Sequence, residues 1–240
     1  MITLIIAEAS LELVPEEIAW HSAVRAHSRR QGKEPKSILL DRSYHHQAML
    51  NLRDAHKRGR PDIAHFSLLE ATSIPLYYNN MLRIYVHTMA DKVISIGRDV
   101  RLPKNYNRFI GLMEDLFTKG KIESDESKHT LLEIEDMGFN TLIDRVRPSK
   151  VIGLSRSGEM RSAEYVASIV KDVVGVGISG VGDVGGGACI VVGGFPKGTF
   201  SPAIRSRLDH TIAISRYSLE AHVVVARVLY EVEKALLSVC

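Results

Sequence analysis

Short runs of apolar residues recur along the chain, and longer segments with helically spaced apolar positions separate them. Runs of four or five apolar residues are typical of strands that are buried on both faces. Strands are predicted at residues 2–6, 37–40, 150–154, 188–192 and 211–214. Helices are predicted at residues 15–32, 44–57, 61–74, 109–117, 139–146, 161–171 and 219–237. Strands that alternate with helices favour an α/β fold with a mainly parallel sheet flanked by helices.

Residues 82–97 have a different pattern. The stretches LRIYVHT and KVISI are rich in β-branched residues and are separated by residues 89–91, which predicts a β-hairpin. We expect this hairpin to be a small β-rich insertion at one edge of the sheet. Residues 119–130 are polar and predicted to be a loop, and residues 131–134 fit either a strand or a helix. No segment has the composition of a linker, so residues 1–240 are predicted to form a single domain.

The composition excludes several classes of protein. With 45% apolar and 25% charged residues, the chain is unlike a disordered protein. Its apolar runs are far shorter than the ~18 residues that span a bilayer, so no membrane association is expected. The first residues lack the basic region of a secretory signal. The two cysteines, Cys189 and Cys240, are too few for a disulfide framework, which favours the cytoplasm.

The net charge of +3 is small, but the charges are unevenly distributed. Basic residues concentrate at 56–60 and again at 98–108, whereas acidic residues concentrate at 123–136. Such segregation can create a basic face that attracts a polyanion such as nucleic acid. A solvated surface with chance clustering is the alternative interpretation.

Two loops near the end of the chain directly follow predicted strands, and the first of them is rich in glycine. The turn VVGGFPKG (residues 191–198) follows the strand at 188–192, and ISRYSLEA (residues 214–221) follows the strand at 211–214. Ligands of open α/β sheets bind beyond the carboxyl ends of the strands, so two such loops could hold a nucleoside. Two ordinary tight turns are the alternative. Residues 175–180 match GxGxxG, but they follow a helix, which argues against a dinucleotide site.

Two further segments carry candidate chemistry. Asp62 follows Arg60 and Pro61, and a carboxylate there could orient a substrate or accept a proton. A helix N-terminal acid with an arginine partner is the alternative. In RLPKNYNRF (residues 101–109), arginines could bind phosphates, and Tyr106 or Phe109 could stack on an unpaired base. The alternative is a solvated loop whose aromatic side chains are anchored in the core.

The ten histidines do not indicate a metal site. They are scattered apart from His45 and His46, which are predicted to lie at a mostly exposed helix start, and the HExxH pattern is absent. No bound metal is therefore expected. A serine hydrolase is also unsupported, because no GxSxG pattern occurs.

The motifs occur together in a specific order. DRSYHH, KRGRPDIAHF, LRIYVHT, RLPKNYNRF, VVGGFPKG and ISRYSLEA follow one another along the chain. In this combination, over about residues 36–235, the chain resembles the archaeal and eukaryotic family of ribosome-biogenesis methyltransferases of the SPOUT class. These enzymes modify pseudouridine at N1 in small-subunit ribosomal RNA (rRNA). The resemblance implies a trefoil-knotted α/β domain, S-adenosylmethionine bound in the knot, and a homodimer that binds rRNA across both subunits, with ribosome assembly proteins as further partners.

The resemblance also implies roles for individual residues. It places the methyl donor at the end of one strand, at the glycine turn and at the loop after it: Leu154, Gly193, Gly194, Gly198, Ile214, Ser215, Tyr217, Leu219 and Ala221. It places Arg60 and Asp62 near the target base, as the catalytic pair. It assigns RNA contacts to Arg60, Arg101, Lys104 and Arg108.

Two other functions fit the same sequence. One is an RNA-binding assembly factor whose methylation activity is secondary, and the other is a related knotted methyltransferase that acts on tRNA. The GRPD and RLPKNYNRF segments argue against the second. Ser218 departs from the family pattern, because relatives often have proline there, so the second loop is expected to be less rigid.

Overall fold

The computed structural model describes residues 1–124, 128–176 and 186–237. Its sheet has eight strands. They are β1 (Ile2–Ala9), β2 (Leu82–Thr88), β3 (Lys92–Ile96), β4 (Lys121–Glu123), β5 (Thr130–Asp136), β6 (Lys150–Met160), β7 (Ala188–Gly193) and β8 (His210–Ala213).

Helices cover both faces of the sheet. They are α1 (Ser22–Gln31), α2 (Arg42–Met49), α3 (Pro61–Ala71), α4 (Pro75–Tyr78), α5 (Tyr106–Lys119), α6 (Phe139–Val146), α7 (Ala163–Val176), α8 (Pro202–Arg205) and α9 (Ala221–Leu237). Pro61 is the first residue of α3, where its missing N–H leaves no hydrogen bond unmade. The helix at 139–146 and the start of the helix at residue 61 are confirmed as predicted from sequence.

The strand order is β4-β5-β3-β2-β1-β7-β6-β8. From β2 to β8 all neighbours are parallel, and the remaining pairs are antiparallel. Residues 82–97 do form a hairpin, but β2 lies between β1 and β3 instead of at an edge. The expected loop at 119–130 contains β4, which forms that edge, and residues 131–134 belong to strand β5. The β-rich part is therefore larger than an inserted hairpin.

The central strands are buried on both faces. In β1, Leu4 and Ile6 contribute to a core beneath α3, α5, α7 and α9, whereas Ile5 and Ala7 contribute to a second core beneath α6 and α8. Successive side chains of a strand point to opposite faces, so a strand between two helical layers reads as an unbroken apolar run. This double burial explains why the runs at 2–6, 150–154 and 188–192 predict strands correctly.

A third core lies beneath α1 and α2, and three predictions in this region are wrong. Ile38 and Leu40 are buried there, whereas Leu39 belongs to the first core. The segment makes only one isolated bridge, between Leu13 and Leu39, so no strand forms. The helix predicted at 15–32 is a short 3-10 turn followed by α1, which ends at Gly32 in the left-handed conformation. The helix predicted at 44–57 stops at Met49.

The described ranges decide what can be said of the glycine-rich stretch, of membrane-spanning helices and of metal-binding groups. Most of the glycine-rich stretch 175–187, including the greater part of the GxGxxG match, lies outside them. Within them, no helix is long and apolar enough to cross a membrane. Nor does any group of three or more His, Cys, Asp or Glu side chains in the described chain have an arrangement that could hold a metal ion.

Candidate active site

A cavity of about 570 Å³ opens at the carboxyl ends of β6, β7 and β8. Its walls come from the residues after β7 and β8, the outer part of β6, and the starts of α3 and α9. Because the three strands are parallel, their carboxyl ends meet at one edge of the sheet, which is where open α/β sheets bind ligands.

A bulge in β6 forms one rim of this cavity. Ile212 pairs both with Leu154 and with Glu159, so residues 155–158 leave the ladder between those two positions. Ser155, Arg156 and Ser157 thereby line the opening. A bulge that redirects side chains beside a site is a common device in sheets.

Eight of the predicted donor-binding residues line the cavity, and Gly194 does not. The lining ones are Leu154, Gly193, Gly198, Ile214, Ser215, Tyr217, Leu219 and Ala221. The structure thus brings together segments that are about 60 residues apart in sequence, as the resemblance implies. Sequence reasoning missed other lining residues, among them Ile63, Arg156, Phe195, Lys197 and Glu220.

Gly194 packs against β1 instead. Its N–H donates to the Ala7 carbonyl at 2.8 Å, and its carbonyl accepts from the Ser10 N–H at 2.9 Å. A Cβ at this position would lie 2.7 Å from Ile6 Cγ2 and 2.8 Å from Ala9 Cα. Gly194 therefore fixes where the turn leaves the sheet, and its role is the close approach of two backbones.

We expect Gly194→Ala to destabilise the protein and to weaken binding of the methyl donor that the resemblance implies. The added methyl group has no room, and overpacking of this kind costs about 1–3 kcal/mol. Gly111→Ala in helix α5 is the matched control, because no described atom outside the backbone of that helix lies within 4 Å of the added Cβ. There the same change should raise the free energy of unfolding by up to ~1 kcal/mol. Thermal unfolding and titration calorimetry measure both effects. Equal melting temperatures for the two variants would contradict this assignment.

The charges around the cavity are mixed. Apolar side chains such as Leu154, Ile212 and Leu219 form part of the wall, and Glu220 adds a carboxylate. Arg156 and Lys197 add cations, and neither forms an ion pair with any residue in the described ranges. The site therefore suits a ligand that combines apolar surface with both signs of charge.

Arg60 and Asp62 form a bidentate ion pair beside the cavity. Arg60 Nε and Nη2 donate to the two Asp62 carboxylate oxygens at 2.8 and 2.7 Å. The hydrogen bond to Asp62 raises the pKa of the Arg60 guanidinium, and the nearby Glu220 carboxylate adds to this effect. Ile63, the next residue of α3, lines the cavity, so the pair lies at its rim.

Helix α3 also connects this pair to the basic segment. His65 Nε2 donates to the Pro103 carbonyl at 2.7 Å, and the His65 ring stacks on Phe109 with centroids 4.3 Å apart. His65 is fully buried, and its Nδ1 has no hydrogen-bond partner among the described residues. The contact fixes the loop that precedes α5 against the helix that carries Asp62.

The three predicted RNA-contacting cations are exposed around the start of α5. Arg101, Lys104 and Arg108 each lie on the surface, and none forms an ion pair with a residue that the structure describes. Phe109 is fully buried and cannot stack on a base. Tyr106 is half-buried, and its hydroxyl donates to Asp41 Oδ2 at 2.8 Å. The basic side chains are therefore available to a polyanion, whereas the aromatic ones anchor the segment.

A buried histidine network, which the sequence did not predict, supports this region. His45 is fully buried, contrary to the expected exposed position, while His46 is exposed. The Asp41 N–H donates to His45 Nδ1 at 3.1 Å, so the proton of the neutral ring is on Nε2, 2.9 Å from His27 Nδ1. Burial, with a smaller contribution from His27, lowers the pKa of His45 to about 4.

The free energy of unfolding should therefore fall as the pH falls from about 6.5 to about 4. In that window the unfolded chain protonates His45, but the folded chain keeps the ring neutral, so protons favour unfolding. Urea unfolding at several pH values measures the decrease. NMR of the ring isolates His45: we expect its signals to stay those of a neutral imidazole at pH 5.5. Half-protonation near pH 6.5 in the folded protein would contradict the buried network.

Comparison with known proteins identifies the family of this chain. The family model of the EMG1/NEP1 methyltransferases matches residues 4–233. The chain belongs to the EMG1/NEP1 methyltransferase family. It is 42% identical to the "Ribosomal RNA small subunit methyltransferase Nep1" of Thermococcus kodakarensis, covering 98% of this chain and 99% of that protein. It is 39% identical to the protein of the same name from Pyrococcus furiosus, covering 96% and 95%.

A solved structure of another member of the EMG1/NEP1 family has the same fold. It is Nep1 of Archaeoglobus fulgidus bound to S-adenosylhomocysteine, with a TM-score of 0.80 and 35% identity, and the match covers 97% of each chain. The fold is therefore of the SPOUT type, a mixed α/β sheet flanked by helices. The cavity at the ends of β6–β8 is thus the candidate active site of an EMG1/NEP1 methyltransferase.

Proposed function

We propose that this protein transfers a methyl group from S-adenosylmethionine to N1 of a pseudouridine in small-subunit rRNA, with a role in small-subunit biogenesis. Family membership supports methyl transfer, and the names of the relatives support the rRNA substrate. The observation that carries the proposal is the Arg60–Asp62 pair at the rim of a cavity that suits a methyl donor.

The cavity fits S-adenosylmethionine in size and chemistry. Its volume of about 570 Å³ is ample for a small-molecule cofactor. The apolar wall suits an adenine ring, and the glycine turn at Gly193 and Gly198 lets main-chain groups approach a ligand closely. Glu220 provides a carboxylate for the cationic groups of the ligand, and Arg156 or Lys197 provides a cation for its carboxylate.

The reaction requires removal of a proton. S-adenosylmethionine supplies a methyl group whose bond to sulfur breaks with the electron pair left on sulfur. Pseudouridine has a proton on N1, because its ribose is attached through carbon, and this proton must leave as N1 forms its bond to the methyl carbon. We assign Asp62 to bind the N1–H and to orient the base or accept its proton, and Arg60 to hold the Asp62 carboxylate in place.

The RNA must present an unstacked base to this rim. A base within a helical stem cannot reach the cavity, so the target nucleotide has to leave its stack. Arg101, Lys104 and Arg108 are assigned to the flanking phosphates, which would fix the register of the RNA. The His65 contact to Pro103 supports this assignment, because it links the cations to the helix that carries Asp62.

We further infer a homodimer and a trefoil knot through β6–β8, as the resemblance implies. Two observations support the dimer: Phe66 of α3 contacts His222 of α9 yet stays 46% exposed, and Tyr230 of α9 is 60% exposed. Adjacent helices that leave aromatic side chains exposed offer apolar surface to a partner. The pairing of β8 with β6, and the packing of α9 on α3 and α7, fit the knotted arrangement.

Analysis of the product nucleosides tests the proposed reaction. Small-subunit rRNA is incubated with the protein and S-adenosylmethionine, digested to nucleosides and examined by mass spectrometry. We expect one added methyl group on the base of a pseudouridine. A methyl group on a ribose, or on a different nucleoside, would contradict the assignment.

A further inference from the structure

A buried ion pair lies behind the cavity wall, outside the site described above. Lys57 Nζ is 2.6 Å from Glu8 Oε2, and the two side chains are 10% and 8% exposed. Glu8 lies near the end of β1, and Lys57 ends the 3-10 turn that follows α2. Isolated charges are costly to bury, so a pair at this depth requires further partners.

The further partners of Lys57 belong to the cavity wall. Its Nζ also donates to the Thr199 carbonyl at 2.6 Å and lies 4.4 Å from the centroid of the Phe195 ring. Both Thr199 and Phe195 line the cavity. A single ammonium group thus holds the loop at its main chain and at one side chain, through a charge-assisted hydrogen bond and a cation–π contact.

Glu8 holds the far end of the same loop. Its Oε1 accepts from the Ser201 N–H at 3.1 Å, while its other oxygen binds Lys57. Glu8 has φ of 49°, in the left-handed region that non-glycine residues rarely adopt. Its own N–H lies 3.3 Å from His87 Nδ1. Such a backbone conformation is unfavourable, and it is held by the surrounding contacts, which include those of the Glu8 side chain.

Apart from Phe200, which is buried in the second core, the loop has few restraints from main-chain hydrogen bonds. Gly194 bonds to β1 at its start, but no main-chain group of residues 195–200 bonds to another main-chain group of the described chain. Gly198 adopts φ of 110°, and a Cβ there would lie 3.1 Å from Lys57 Cε. The side chain of Lys57 therefore packs directly beneath the turn that forms the cavity wall.

We propose that Glu8 and Lys57 are positioning residues for the methyl donor. They hold residues 195–201 in the shape that receives the donor, and they act through the loop without touching the ligand. This inference rests on the proposed function. It predicts that loss of the pair weakens donor binding while the chemical step, which depends on Arg60 and Asp62, is retained.

The chain offers a matched control in the neighbouring residues. Arg58 donates to both oxygens of Glu12, at 2.8 and 2.7 Å, and these side chains are 14% and 4% exposed. This pair joins the same two chain segments as Glu8 and Lys57. Arg58 Nη1 also donates to the Arg53 carbonyl at 3.3 Å, and neither Arg58 nor Glu12 lines the cavity. A general loss of stability should therefore follow from breaking either pair, but a loss of donor affinity only from breaking the first.

The test compares Lys57→Met with Arg58→Met. For Lys57→Met we expect the KM for S-adenosylmethionine and the Kd for S-adenosylhomocysteine to rise at least ~10-fold, with kcat at saturating donor within about 3-fold of wild type. For Arg58→Met we expect Tm to decrease by about as much as it does for Lys57→Met. KM and Kd should stay within about 2-fold of wild type. Should Lys57→Met fail to fold, the double variant Glu8→Gln/Lys57→Met removes the unpaired buried charge and is expected to show the same rise in KM and Kd.

Two results would overturn the inference. One is donor affinity equal to wild type in folded Lys57→Met or in the double variant. The other is an equal rise of KM in Arg58→Met, which would reduce the pair to a general structural role. Wild-type protein that neither binds S-adenosylhomocysteine nor transfers methyl groups would refute the proposed function itself, and with it this role.

Discussion

Asp62→Asn should reduce turnover on saturating RNA and S-adenosylmethionine by about 10²-fold or more, which is the usual contribution of a positioned acid–base group. Asparagine has the same shape but cannot accept the N1 proton, and it loses the charge that orders the Arg60 guanidinium at 2.7–2.8 Å. The loss should appear in kcat, since Asp62 is not among the residues that line the donor cavity. Steady-state kinetics at several RNA concentrations measures it.

Glu135→Gln controls for the loss of an ion pair as such. Glu135 accepts from Arg145 Nη1 and Nη2 at 2.6 and 2.9 Å, which is another bidentate arginine–carboxylate pair. It lies on β5, away from the cavity, so activity should stay at the wild-type level. Full turnover by Asp62→Asn, with the melting temperature unchanged, would remove Asp62 from the mechanism.

Loss of Arg101 or Arg108 should weaken RNA binding and flatten its dependence on salt. Each side chain is exposed and lacks an ion-pair partner in the described chain, so its charge is available to a phosphate. Removing one phosphate contact lowers the slope of log K against log[salt] by about 0.7–0.9. For the double variant Arg101→Ala/Arg108→Ala we therefore expect a slope smaller by about 1.5. Fluorescence anisotropy between low and moderate salt measures this slope.

Arg145→Ala is the control for that series. Like the changes at positions 101 and 108, it removes one positive charge from the surface. Arg145, however, already forms an ion pair with Glu135. We expect its salt slope to match wild type. A double variant at 101 and 108 with unchanged binding at every salt concentration would remove the basic segment from the RNA interface.

The sequence predicts the strands of the sheet correctly where a strand is buried on both faces. β1, β6 and β7 lie between two helical layers, so their apolar runs are unbroken and identify them without further information. The same rule misleads at residues 37–40, which are equally apolar. There Ile38 and Leu40 are buried beneath α1 and α2, Leu39 is buried in the first core, and only one bridge to Leu13 forms. An apolar run indicates that a segment is buried, but it does not indicate whether the segment has a neighbouring strand to which it can form hydrogen bonds.

Some features of the candidate site could also be predicted from the sequence, and others could not. The two loops that directly follow predicted strands indicated the cavity, because the carboxyl ends of parallel strands meet at one edge of the sheet. The different role of Gly194 depends on a contact with Ala9 that no local pattern reveals. Likewise, Glu8 and Lys57 are 49 positions apart in the sequence, and nothing around either residue indicates the other. Charged residues are mostly exposed, so burial of such a pair could be seen only in three dimensions.

Two RNA hairpins provide the most direct test of the central claim, that this site methylates N1 of pseudouridine. They share one small-subunit rRNA sequence and differ only in a single pseudouridine or uridine at the target position, and the transfer of labelled methyl groups from S-adenosylmethionine is counted for each. We predict label on the pseudouridine hairpin alone, because uridine has its ribose on N1 and no proton to lose. Equal label on both hairpins would contradict N1 specificity, and label on neither, with RNA still bound, would favour an assembly factor.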